Sequence, residues 1–404
     1  MKKNRSEVML LVLIYILCMA LFTNLAILKD PIDKNAIYIG LLICVVISVA
    51  YLIIRKFDPD GDRFILLFSS LLVTIGIAML YRLDPSVGKK QLIWFIAGIA
   101  IFIVVVRLFP SFKSFAKFKI LYFIGVIAFM PMAMVIGTEQ LGAKNWVFIG
   151  GFGFQPSEFG KICLILYLAA TLKDYSKASD HAFKTLIKPA FAVGFSLIFL
   201  VLQKDLGSAL IFFGIAVTML YIATSKKKYV FASLGLFGAG SVVAYKLFAH
   251  VRRRVLIWKN PWEYANDQGY QLVQGFYAIS SGGMFGSGLG QGHPTLVPVP
   301  TTDFIFAAIC EELGMVFGIG VMIIYFLLFY RAIRTAFVSD DSFSQLAGVG
   351  FSTMIVCQVL VIIGGVFAVI PLTGIALPLV SYGGTSMVTT FLALGILQKI
   401  SEEG

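Results

Sequence analysis

The sequence predicts an all-α membrane protein, a polytopic transmembrane helical bundle of about twelve spans. Three observations carry this expectation. Of 404 residues, 59% are hydrophobic and only 13% are charged. Apolar stretches of about twenty residues recur along the whole chain, each long enough to cross a hydrocarbon core of about 30 Å. The stretches run continuously and do not alternate, which excludes a membrane β-barrel.

The spans fall near 8–28, 36–54, 64–81, 91–109, 119–137, 157–173, 188–203, 206–224, 229–249, 302–330, 345–370 and 378–398. An even number puts both termini on one side. With the N-terminus cytoplasmic, the inside loops collect most of the basic residues, among them Arg55, Lys56, Lys226, Lys227, Lys228, Arg331 and Arg334. That is the orientation the positive-inside rule selects. The opening "MKKNRSEVMLLVLIYILCMALF" has an apolar part too long for a signal peptide, so it reads as the first span. The net charge of +12 belongs to these loops. It does not indicate nucleic-acid binding, because no soluble basic domain is present. Five cysteines lie inside apolar runs with no paired spacing, which argues against disulfides and structural zinc.

Polar residues concentrate in five outer segments. The first, "GTEQLGAKNWVFIGGFGFQPSEFGKI" (137–162), reads as a tight, aromatic, glycine-rich elbow leading to a helix start at "QPSE". In the second, "LQKDLGSAL" (202–210), Lys204 and Asp205 stand between two apolar spans. They read either as a functional pair or as a mutual salt bridge at a turn.

The third runs from about 250 to 301 and begins "HVRRRVLIWKNPWEYANDQGYQ". Arg252, Arg253, Arg254 and Lys259 lie outside, where topology disfavours positive charge. They read as a snorkelling cluster on lipid phosphates or as an anion site, since guanidinium forks match phosphate oxygens. "YQLVQGFYAIS" (270–280) is too short to span and fits a re-entrant or interfacial helix. The following glycines lack any βαβ context, so a nucleotide-loop reading fails; close backbone packing is the plainer account.

In the fourth, "PTTDFIFAAICEELG" (300–314), Asp303 opens a span and Glu311 and Glu312 lie about two turns inside it. Carboxylates at membrane depth need partners, and Arg252–Arg254 are the candidates. The fifth, "PLTGIALPLVSYGGTSM" (371–387), is a Pro/Gly-broken lead into the last span and offers Ser381, Tyr382, Thr385 and Ser386. The first five spans carry almost no polar groups and no internal repeat is visible, which speaks against an ion-coupled transporter.

In these five segments, the sequence resembles the SEDS family of shape, elongation, division and sporulation proteins, typified by RodA, FtsW and SpoVE. "GAKNWVFIGGFGFQPSEFGKI" looks like the family's Gly-Ala-x-x-Trp-Ile…Gln-Pro-Ser-Glu…Lys segment. "LQKDLGSAL" is similar to Gln-Pro-Asp-Leu-Gly-Thr, with Lys204 in place of proline. "TTDFIFAAICEELG" resembles His-Thr-Asp-Phe-Ile-Phe-Ala…Glu-Glu-Leu-Gly, with Thr301 for histidine. The long loop and the Ser-Tyr-Gly-Gly ending match in order. The resemblance covers roughly 64 to 400. It implies a SEDS-type core of ten spans over 61–404, with the large extracellular loop 250–301, and makes residues 1–60 an additional transmembrane pair.

The resemblance implies a peptidoglycan glycosyltransferase of the bacterial cytoplasmic membrane. It would polymerise lipid II, a disaccharide-pentapeptide on undecaprenyl pyrophosphate, at the outer face, beside a class B penicillin-binding protein. Elongation, division and sporulation members share the motifs. A lipid II flippase and an inactive scaffold are the alternatives. Arg252, Arg253, Arg254 and Lys259 would hold the pyrophosphate. Trp146, Lys204, Asp205, Asp303, Glu311, Glu312, Ser381 and Ser386 would line the lipid II site. The family's essential aspartate falls on Tyr264, a poor base at neutral pH. Asp267 or Glu263, a few residues away, would take its catalytic role; Asp303, Glu311 and Glu312 are further candidates. No metal ligand set is specific, although a divalent cation, magnesium or manganese, commonly assists at phosphates.

Overall fold

A computed structural model describes residues 2–109, 111–140, 143–150, 152–175 and 182–403. They form fourteen α-helices and three short strands: α1 (Lys2–Ile27), α2 (Lys34–Phe57), α3 (Phe64–Leu83), α4 (Pro85–Leu108), α5 (Lys119–Ile136), β1 (Thr138–Gln140), β2 (Ala143–Ile149), β3 (Phe152–Phe154), α6 (Pro156–Leu172), α7 (Ala182–Leu202), α8 (Leu206–Thr224), α9 (Lys227–Leu247), α10 (Ala249–Lys259), α11 (Tyr270–Gly282), α12 (Ile305–Val338), α13 (Ser342–Val366) and α14 (Gly384–Glu403). Ten candidate spans among the described residues are long and apolar enough to cross a membrane. α6 and α14 complete the predicted bundle; α6 packs on α5 and α13, and α14 on α4 and α12.

The core lies around α3 and α13, whose spans are 89% and 83% buried. Both are apolar on all sides, as a helix enclosed by helices must be. Hydroxyls inside them bond to their own backbone: Ser69 donates to Leu66 O and Thr74 to Ser70 O. The peripheral helices expose Leu, Ile and Phe, as lipid-facing surfaces do. α9 is the extreme case, because it buries no residue and packs mainly on α8 and α10.

Ser6 and Ser401 line one cleft, so both termini share a face, called here the terminal face. α1 and α2 join the body at both ends. On the terminal face Glu7, fully buried, pairs with Arg63 at 2.8 Å. On the opposite, distal face Tyr81 donates to Asp33 at 2.8 Å.

All five polar segments gather on the distal face. The predicted elbow is a small antiparallel sheet, with Thr138 opposite Trp146 and Phe148 opposite Gly153. The long loop expected to start at 250 opens instead on a separate helix, α10, over Ala249–Lys259. α11 is the predicted short helix and packs on α12. The span expected at 302–330 is longer and is broken at Gly314, whose φ of 87° and ψ of 164° no helix contains. Only glycine fits there: a Cβ would lie 2.4 Å from the Gly286 nitrogen.

Candidate functional site

The site is built around Arg254. Arg254 and Trp258 are four residues apart on α10 and therefore share a face. Both reach across to the link between α13 and α14. Arg254 Nη1 donates to Leu372 O at 3.3 Å and Thr373 O at 3.0 Å, and Trp258 Nε1 donates to Ala368 O at 2.7 Å. Those carbonyls are free because the link holds Pro371, Gly374 and Pro378 and forms no helix.

Asp303 faces Arg254 across the Gly374 backbone. A Cβ built on Gly374 would lie 3.6 Å from Asp303 Oδ2 and 4.0 Å from Arg254 Nη2. Burial pushes the Asp303 carboxyl up to about 6, against the lowering effects of a Thr302 hydrogen bond and of Arg254. Burial likewise lowers Arg254, while Asp205 and Asp303 oppose the shift. Ser381 fixes the approach: its hydroxyl donates to Thr302 O at 2.6 Å and accepts from Leu377 N at 2.9 Å. Gln91 Nε2 donates to Ser381 O at 3.0 Å. Ser386 Oγ is buried without a hydrogen-bond partner among the described residues.

Lys204 and Asp205 do not pair with each other. Lys204 turns out toward Glu139, 3.6 Å away, with both side chains exposed. Its φ is 62°, a value proline cannot adopt, so the departure from the resembled motif goes with a different backbone. Asp205 is buried and caps α8, accepting from Ser208 N at 3.0 Å and Ser208 Oγ at 2.8 Å. Gln155 Nε2 at 2.9 Å and Asn145 Nδ2 at 3.3 Å also donate to it, tying the sheet to the bundle. Trp146 is half-buried in β2 beside Phe148.

Glu311 and Glu312 have partners other than Arg252–Arg254, which corrects the pairing expected from sequence. Glu312 meets Arg82 Nη2 at 3.1 Å and accepts from Gly290 N at 3.0 Å. Glu311 accepts from His293 N at 2.7 Å. The glycine-rich segment also donates Ser287 N and Gly288 N to the carbonyls of the two glutamates. Its tight turns therefore wrap the first turns of α12. Glu312→Ala would leave the Arg82 guanidinium without its buried carboxylate, and we expect a loss of about 3–5 kcal/mol, read by thermal unfolding.

The remaining predicted site residues stand on an exposed rim. Arg252, Arg253, Lys259, Glu263 and Asp267 are all exposed. Glu263 accepts from its neighbour Asn260 at 3.3 Å. Tyr264 is half-buried and packs close to Gly269. No contact brings Glu263 or Asp267 to Arg254 among the described residues.

Sequence reasoning passed over Glu158 and Lys161, a buried pair at 2.8 Å in α6, with Thr389 donating to Glu158 Oε2 at 3.0 Å. The signal was present in "PSEFGK": two charges three apart entering an apolar helix, on one face. Asn145, Gln155 and Gln91 gave no such signal. No group of three or more potential metal ligands is present among the described residues.

The family model of the FtsW/RodA/SpoVE cell cycle proteins matches residues 62–404. The chain belongs to this family. A relative within it, the peptidoglycan glycosyltransferase RodA of Mycobacterium tuberculosis (strain ATCC 25618 / H37Rv), is 36% identical over 392 residues, covering 90% of this chain and 82% of the relative. The stage V sporulation protein E of Bacillus subtilis (strain 168) is 34% identical over 365 residues, covering 86% and 98%. A chain from a solved structure, described as structural coordination of polymerization and crosslinking by a peptidoglycan synthase complex, superposes with a TM-score of 0.72 at 26% identity, covering 84% and 97%.

Proposed function

We infer that this family member is a peptidoglycan glycosyltransferase of the bacterial cytoplasmic membrane, acting on lipid II at the distal face. The observation that carries the site assignment is Arg254 facing Asp303 across a glycine, beside a segment of non-helical backbone. In this reading Arg254 binds the pyrophosphate of the donor and stabilises the charge that develops as it leaves. Arg252, Arg253 and Lys259 attract the anion from the rim. Asp303 takes the proton of the acceptor sugar's 4-hydroxyl as the new glycosidic bond forms and the bond to pyrophosphate breaks. A carboxyl poised near 6 is ionised at neutral pH and still basic enough for that work. Glu311 and Glu312 serve the architecture of the glycine-rich loop. α1 and α2 are read as a pair added to a ten-span body. The likeness to a chain of a peptidoglycan synthase complex supports a class B penicillin-binding protein as partner.

Purified protein, alone and with such a partner, is expected to convert labelled lipid II into glycan ladders. Absence of ladders with a change in lipid II accessibility across proteoliposomes would instead identify a flippase. Absence of both would leave a scaffold.

A further inference from the structure

The cleft that Ser6 and Ser401 line on the terminal face has a volume of about 420 Å³ and lies across the bundle from the glycosyltransfer site. That volume lies in the range of about 300–1,000 Å³ typical of small-molecule sites. Ser6 of α1, Asp60 and Asp62 of the α2–α3 turn, Phe64, the α12 residues Arg331 and Arg334, and Ser401 form its wall. The charges there are of two kinds. Asp62 and Arg331 are joined at 3.1 Å, and the Arg331 guanidinium lies 4.3 Å from the centre of the Phe64 ring. Arg334 and Asp60 are both exposed, and neither has a hydrogen-bond or ion-pair partner among the described residues. Among the described residues the cleft therefore presents an unpaired cation and an unpaired anion beside a neutralised pair.

We propose that this cleft binds the zwitterionic headgroup of a membrane phospholipid, a phosphoethanolamine. Its phosphodiester is positioned by Arg334 and the edge of Arg331, and its ammonium by Asp60 and Asp62. The setting favours a lipid over a soluble ligand. The cleft sits at the last turns of α12, and in the turns just before Arg331 and Arg334, toward the membrane interior, Ile323, Phe326 and Tyr330 are exposed apolar or aromatic surface along which acyl chains can lie. Arg55, Lys56 and Arg107 lie in the last turns of α2 and α4 on the same face, where basic residues favour a membrane–water boundary. A guanidinium fork matches phosphate oxygens, and carboxylates accept from a primary ammonium. The site is independent of the catalytic reading.

The test loads the full chain, in mixed micelles, with equal amounts of phosphatidylethanolamine, phosphatidylglycerol and phosphatidylcholine, and counts bound lipid by native mass spectrometry. Phosphatidylethanolamine is expected to be retained over both others, since one lacks the cation and the other's quaternary ammonium cannot donate. Arg334→Gln and Asp60→Asn should each lower its retention roughly three- to fivefold, the scale of one partly exposed charged contact. Arg334→Lys should keep more than half. Should either charge variant fail to match the wild-type unfolding temperature, Val338→Trp blocks the mouth from an exposed position and should give the same loss. Equal retention of the three lipids, a preference for phosphatidylglycerol, or retention insensitive to these substitutions would overturn the proposal.

Discussion

Asp303→Asn is expected to abolish glycan-ladder formation, lowering the initial rate by about 10²–10⁴-fold, the usual weight of a general base. Glu263→Gln and Asp267→Asn should change it far less, because both side chains stand on the exposed rim. If either rim variant is the dead one, the base lies in the loop and the assignment to Asp303 is wrong. A pH profile gives a second reading. With Asp303 as the base its ionised form is the active one, and on that assignment kcat/KM should rise with pH and level off above about 6. Below that value it should fall about tenfold per pH unit. Stability should move oppositely. The folded carboxyl sits at about 6 and its ordinary value is 3.8, so the folded state holds more protons between them. Stability thus declines as pH rises through that window and stays lower above it. At pH 8 the Asn variant should unfold at a temperature equal to or higher than wild type. Lost activity with retained stability separates chemistry from misfolding.

Arg254→Gln is expected to lower the rate by about 10²–10³-fold, as when one donor to a developing oxyanion is removed. Arg252→Gln and Arg253→Gln should weaken substrate capture at low salt, with a smaller effect that added salt hides. Arg254→Lys separates charge from shape. A lysine keeps the positive charge but loses the planar fork that spans Leu372 O and Thr373 O. Rates close to wild type for Arg254→Gln would reduce the residue to a strut between α10 and the α13–α14 link.

The membrane class and the spans were legible because continuous apolar runs report helices directly. The distal clustering of polar groups followed from counting loops. What stayed hidden was phase and long-range pairing. Three consecutive arginines look equivalent in sequence. On a helix they point about 100° apart, so Arg254 alone turns toward Asp303. Arg82 and Glu312 lie in α3 and α12, and nothing local links them. Lys204 and Asp205 were adjacent in sequence and for that reason looked like partners. A left-handed residue sends one outward while the other caps a helix. The sheet escaped notice because its strands are short, glycine-rich and set in a chain of helices.

α9 has one more consequence. It holds no buried residue, and α10, which carries Arg254, follows it after a single residue. With so little protein around α9, lipid is expected to bias the tilt of the arm from which the guanidinium hangs. A thicker or thinner bilayer changes that tilt through hydrophobic mismatch. Turnover in vesicles of graded acyl length should therefore show an optimum, with membrane thickness acting as an adjusting screw on the reaction centre.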